Sequence, residues 1–242
     1  MKIKFLFIAL FCSLTFIACE DEDDAPAPAA TTNNTTNNNS SQPSIQFAGA
    51  DGSLIAVMST SETVAGPITL NTGVAAFNDN GTATSVGKIT LEGVEMTENS
   101  AGSYTLSASA QNPMGVTFDQ AIDWDVAGTG SFSAFTESNT NDFPTISGVQ
   151  SPETVDKSDG YTLETGSISN ADSVIFMIGE VVRVAAGNTV TYNFTADDLR
   201  GLATGTTVAS IAPYNFYNRD ISGKDIYFVN ETVVQKNVTI QE

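Results

Sequence analysis

Carboxylates are the abundant reactive side chains of this sequence, with 28 Asp and Glu against 9 Lys and Arg, no histidine and two cysteines. Asp119, Asp123 and Asp125 cluster about the single tryptophan, Trp124. Two carboxyls flanking a scissile bond above an aromatic floor are what glycoside hydrolysis requires. On a strand, however, Asp123 and Asp125 share one face and Trp124 takes the other. The expectation is therefore Trp124 in a core and the two acids in solvent. In Tyr214-Asn215-Phe216-Tyr217 the same alternation sets Tyr214 and Phe216 on one face and Tyr217 opposite. Such rings either stack on sugars or pack in a core with the hydroxyl reaching water. Trp124, Tyr214 and Tyr217 are the candidate ligand contacts. The Asn78–Asn80 turn and the Asp197-Asp198 pair carry oxygens of the kind calcium takes, but neither follows the twelve-residue calcium loop. A hairpin turn and a first helical turn account for them, so no metal and no other cofactor is expected.

The missing histidine excludes a Ser-His-Asp triad, a Cys-His pair and an imidazole metal site. A formal net charge of −19 repels phosphate backbones and excludes nucleic acid as a partner.

These residues must be positioned by strands. From Ser44 onward, short runs rich in Thr, Val, Ile, Phe and Tyr are divided by Gly, Asn, Asp and Ser, the pattern of pleated, half-buried segments. It predicts strands at Ser44–Phe47, Leu54–Ser59, Ile68–Asn71, Val74–Phe77, Lys88–Leu91, Tyr104–Ala108, Ile122–Val126 and Phe132–Thr136. A second series follows at Tyr161–Glu164, Ser173–Ile178, Val181–Ala185, Thr189–Phe194, Thr207–Ile211, Lys224–Val229 and Val233–Ile240. Asn78-Asp79-Asn80-Gly81 is a hairpin turn signal, and Thr195 caps one short helix with acids in its first turn. Punctuation at Phe143–Pro152 divides a first β domain, 44–145, from a second, 146–242. The expected fold class is all-β: two antiparallel β-sandwich domains of immunoglobulin-like type.

Residues 1–18 carry Lys2 and Lys4, an apolar run from Phe5 and small residues at the end, the parts of a secretory signal. That run falls short of the ~20 residues a spanning helix requires. Residues 25–43 hold no large apolar side chain, so burial cannot offset their ordering entropy. With the acids before them they form a tether, 19–43. Cys12 departs with the leader, which leaves Cys19 as the one thiol and no disulfide.

Phe16-Ile17-Ala18-Cys19 resembles the lipobox of bacterial lipoproteins, with Phe16 where leucine is usual. The resemblance implies cleavage before Cys19 and acylation of its thiol, making the membrane a partner through a lipid anchor. Glu20-Asp21-Glu22-Asp23-Asp24 resembles the export signal that sends Bacteroidetes lipoproteins to the outer face of the outer membrane, implying display at the cell surface. Ser169–Val174, Ala212–Asn215 and Gly223–Glu231 resemble segments of flavobacterial lipoproteins; this implies a β-sandwich and carries no activity. The expected function is that of a non-catalytic protein with a binding, adhesion or envelope-structural role toward an unknown glycan or protein ligand. The alternative is a carbohydrate-binding accessory of a polysaccharide uptake system, or a histidine-free glycosidase.

Overall fold

A computed structural model describes residue 47, residues 49–63 and residues 66–242. The leader, the tether and most of the strand expected at Ser44–Phe47 lie outside the described residues. The alternating runs form β1 (Gly52–Thr63), β2 (Gly66–Asp79), β3 (Thr82–Ala83), β4 (Ile89–Leu91), β5 (Val94–Glu95), β6 (Thr97–Ser100), β7 (Ser103–Leu106), β8 (Ile122–Val126) and β9 (Phe135–Asn139). There follow β10 (Thr145–Ile146), β11 (Thr154–Asp156), β12 (Tyr161–Glu164), β13 (Ile168–Ser169), β14 (Ser173–Ile178), β15 (Val181–Ala186), β16 (Thr191–Phe194), α1 (Ala196–Leu199), β17 (Gly205–Ile221) and β18 (Lys224–Gln241). The protein is an all-β sandwich.

One large sheet, ordered β15-β14-β17-β18-β1-β2-β7-β6, runs through both halves of the chain. A four-stranded sheet, β5-β4-β8-β9, and two small pairs, β10-β13 and β12-β16, form the second layer. Between the named strands, pairing is antiparallel except where β1 and β11 run parallel to β18. Both exceptions join segments distant in sequence, so no tight turn dictates their direction.

Several expected short strands fuse. Ile68–Asn71 and Val74–Phe77 become one strand through Gly73, a residue that reads as a break. Gly73 lies there because the second layer approaches closely: a Cβ would sit 2.5 Å from Leu91 Cδ2. β17 likewise continues past Pro213; its ladder with β18 skips Ala212 and Pro213 and resumes in unchanged register at Tyr214.

The even-numbered residues of β18 all face the second layer. Ile226 and Phe228 join Leu54, Phe77, Leu91 and Trp124 in a first core. Val234, Val238 and Ile240 join Phe176, Leu163, Phe194 and Leu199 in a second. Between the cores, buried asparagines clamp the connecting segment onto the sheet. Asn139 Nδ2 donates to Asn230 Oδ1 at 2.9 Å, and Asn230 Nδ2 donates to the Asn141 carbonyl at 2.6 Å. Asn215 Nδ2 donates to the Asp142 carbonyl at 2.8 Å, and Thr232 Oγ1 to the Pro144 carbonyl at 2.7 Å. The halves expected as 44–145 and 146–242 thus have separate cores on the layered side and a common sheet behind them.

Candidate functional site

The face of the large sheet turned away from the second layer carries a third, buried apolar cluster, made by Ile55, Val57, Ile175, Ala212, Tyr214, Val229 and Val233. Its rim is aromatic. The β17–β18 hairpin turns on Ser222 and Gly223, whose φ values of 56° and 82° suit a two-residue turn. That turn pairs Phe216 with Val229 and Asn218 with Tyr227, which sets Tyr214, Phe216 and Tyr227 on one face. Phe47 stacks on Tyr227 at 4.1 Å between ring centroids and 11° between planes, and lies 4.7 Å from Phe216. Tyr214 and Phe216 are 6.3 Å apart. Phe47, Phe216 and Tyr227 are half-buried rather than fully enclosed.

Polar groups border these rings. Asn218 Nδ2 donates to Asp225 Oδ1 at 2.8 Å, and the Asp172 carboxylate accepts the Phe216 N–H at 2.9 Å. Burial, then the nearby Asp225 carboxylate, pushes the Tyr227 phenol above its ordinary value. Burial does the same for Tyr214, opposed by a hydrogen bond with Ser173. Both phenols are neutral at physiological pH and can donate or accept. Aromatic faces edged by carboxylates and an amide suit a sugar ring, whose C–H face stacks while its hydroxyls reach the acceptors.

The other predicted residues are placed elsewhere. Trp124 lies in the first core at 2% exposure, and its Nε1 has no hydrogen-bond partner. Asp123 and Asp125 point to the exposed side of β8. There Glu92 Oε1 accepts the Asp123 N–H at 2.8 Å; burial raises the Glu92 carboxyl, opposed by that hydrogen bond and aided by the charges of Asp123 and Asp119. Tyr217 faces inward, stacked 5.2 Å from Phe228 and donating to Glu137 Oε1 at 3.1 Å. Burial and then Glu137 push its phenol well up, and Arg219 closes the group through an ion pair with Glu137. Asp79 is held by Lys224 at 2.8 Å in the expected hairpin turn, where Asn80 and Gly81 have positive φ. Asp198 completes a capping box with Thr195 and pairs with Arg183, while Asp197 pairs with Arg200. Among the described residues, no three His, Cys, Asp or Glu side chains are grouped to hold a metal ion. Cys19 and Glu20–Asp24 lie outside the described residues.

The chain matches no family model and no curated protein.

Of the rim, sequence reading picks out Tyr214 and Phe216 and misses Phe47, Tyr227, Asn218 and Asp225. The signal for the last three was present: a two-residue turn at Ser222-Gly223 fixes Asn218 opposite Tyr227 and Asp220 opposite Asp225.

Proposed function

We propose that this is an outer-membrane, lipid-anchored, surface-exposed and non-catalytic protein that binds a ligand on its outer sheet face. Cys19 carries the anchor and Glu20–Asp24 direct the protein outward. The observation that supports binding is the half-exposed cluster of Phe47, Phe216 and Tyr227 beside Asn218 and Asp225. This cluster also favours a glycan over a protein ligand, in the manner of an accessory to polysaccharide capture. A histidine-free glycosidase is the weaker reading, because Asp123 and Asp125 point away from Trp124.

Two experiments test this. Cys19→Ser should leave an unlipidated precursor outside the membrane fraction; membrane-bound protein of normal size from that variant would contradict the anchor. Affinity electrophoresis against neutral cell-envelope polysaccharides should show retardation that Phe216→Ala and Tyr227→Ala abolish while circular dichroism stays unchanged. Equal retardation of parent and variants would remove the rings from the binding role.

A further inference from the structure

A polar recess lies on the opposite side of the large sheet, where the sheet forks. β1 accompanies β18 as far as the pair Ser61 and Gln235. β11 takes over the same edge at Thr154 and Thr239, with the Thr239 N–H already donated to the Glu153 carbonyl at 2.7 Å. Alternation along β18 makes Asn237 the residue between these ladders whose backbone N–H and C=O point into the fork. The recess that opens there has a volume of about 490 Å³, and its lining includes Thr60, Val149, Glu153, Val234, Lys236 and Asn237.

Its charges are loosely held. From Lys88 onward, every other lysine or arginine has a carboxylate oxygen within 3.3 Å. Lys236 Nζ stands 3.9 Å from Glu153 Oε1, and the Glu153 side chain is 79% exposed. The ammonium keeps one fixed bond, to the Ser151 carbonyl at 2.9 Å. Val149 and Val234 line the recess with apolar surface.

We propose that this fork binds a free α-amino acid with an apolar side chain. An ammonium and a carboxylate about 4 Å apart match the opposite charges of one zwitterion, whose carboxylate takes Lys236 and the Asn237 N–H and whose ammonium takes Glu153. The volume falls in the roughly 300–1,000 Å³ range of small-molecule sites, and the valines receive the side chain. A zwitterion also escapes the repulsion that this acidic protein exerts on anions.

Isothermal titration of the full chain with L-leucine tests the proposal, with N-acetyl-leucine and leucinamide as probes lacking one charge each. Saturable millimolar binding of L-leucine is expected, with both analogues weakened by ~10-fold or more. Glu153→Gln, at an exposed side chain, should weaken L-leucine equally and leave the fold intact. Asn237→Pro, opposite Val208 of β17, removes the N–H that points into the fork and should also abolish binding, with circular dichroism checking that the β17–β18 ladder persists. No saturable heat with L-leucine, or equal affinity in parent and Glu153→Gln, would overturn the assignment.

Discussion

Asn230 is fully buried, yet it is an asparagine because two partners from the connecting segment converge on it. Asn230→Leu keeps the branched four-atom shape, with greater bulk, but orphans the Asn139 amide and the Asn141 carbonyl. Each orphaned buried group costs roughly 1–3 kcal/mol, so urea unfolding should show a loss of about 2–6 kcal/mol. A loss below that of an ordinary surface substitution would mean that water satisfies both groups. Asp198 makes a pH-dependent contribution. Its hydrogen bond from the Thr195 backbone, followed by Arg183, holds its carboxyl below the ordinary value. A depressed carboxyl stabilises the fold above its unfolded value near ~4 and loses that contribution as pH falls through the folded value. Asp198→Asn retains a capping oxygen without the charge. The stability gap between parent and variant should therefore be full at pH 6 and shrink below about pH 4. A gap that stays constant to pH 2.5 would show that the charge contributes nothing.

The strand β15 is an exposed edge, and its chemistry blunts it. Alternation from the closing pair Ile178 and Val181 turns the backbone groups of Val182, Val184 and Ala186 outward. The Arg183 guanidinium covers the Val182 carbonyl at 2.8 Å, and Thr189 Oγ1 covers that of Ala186 at 2.7 Å. Arg183 is itself fixed by Asp198 of the helix cap. Edge strands left open recruit other strands, and Val184, 58% exposed, would add an apolar contact. Arg183→Ala should shift sedimentation velocity profiles toward heavier species than the parent at equal concentration; identical profiles would show the guanidinium is no guard. At this scale much was legible in the sequence. Ile122–Val126, Tyr161–Glu164 and Ser173–Ile178 are found as predicted, because alternation, β-branching and flanking turn residues agree there. The fusions at Gly73, Pro213 and Asn230-Glu231-Thr232 were not legible, since polar or breaking residues there are explained by partners distant in sequence. The parallel pairing of β1 with β18 leaves no local mark for the same reason. The site was half legible: alternation sorted Tyr214 from Tyr217, but the register that brings Tyr227 beside Phe216 is a property of the pair of strands.

On the scale of the molecule, two features act together, the excess of acids and the sheet common to both cores. Every lysine or arginine from Lys88 onward lies within 4 Å of a carboxylate, Lys236 the most loosely, so the excess acids are left without a cation of their own. Exposed pairs contribute only about 0–1 kcal/mol each, so added salt relieves more repulsion than it costs in attraction. The melting temperature should rise with sodium chloride, and calcium at matched ionic strength should add nothing further; a large calcium-specific rise would place a metal among the acidic loops. The common sheet makes a stronger prediction. β18 sends Phe228 into the first core and Val238 and Ile240 into the second, and β17 sends Tyr217 into the first while Ile211 enters the second. Neither half can unfold without exposing the apolar ends of strands that the other half holds. Trp124, the single tryptophan, reports on the first core alone, whereas far-ultraviolet circular dichroism reports on strands throughout. The two signals should give one urea midpoint. Ile211→Ala, at a fully buried position of the second core, removes roughly 2–5 kcal/mol. It should lower the Trp124 midpoint as far as the circular dichroism midpoint, although Ile211 lies outside the first core. If Trp124 instead unfolds at the parent midpoint in that variant, β17 and β18 break between the cores and the two halves are independent folding units.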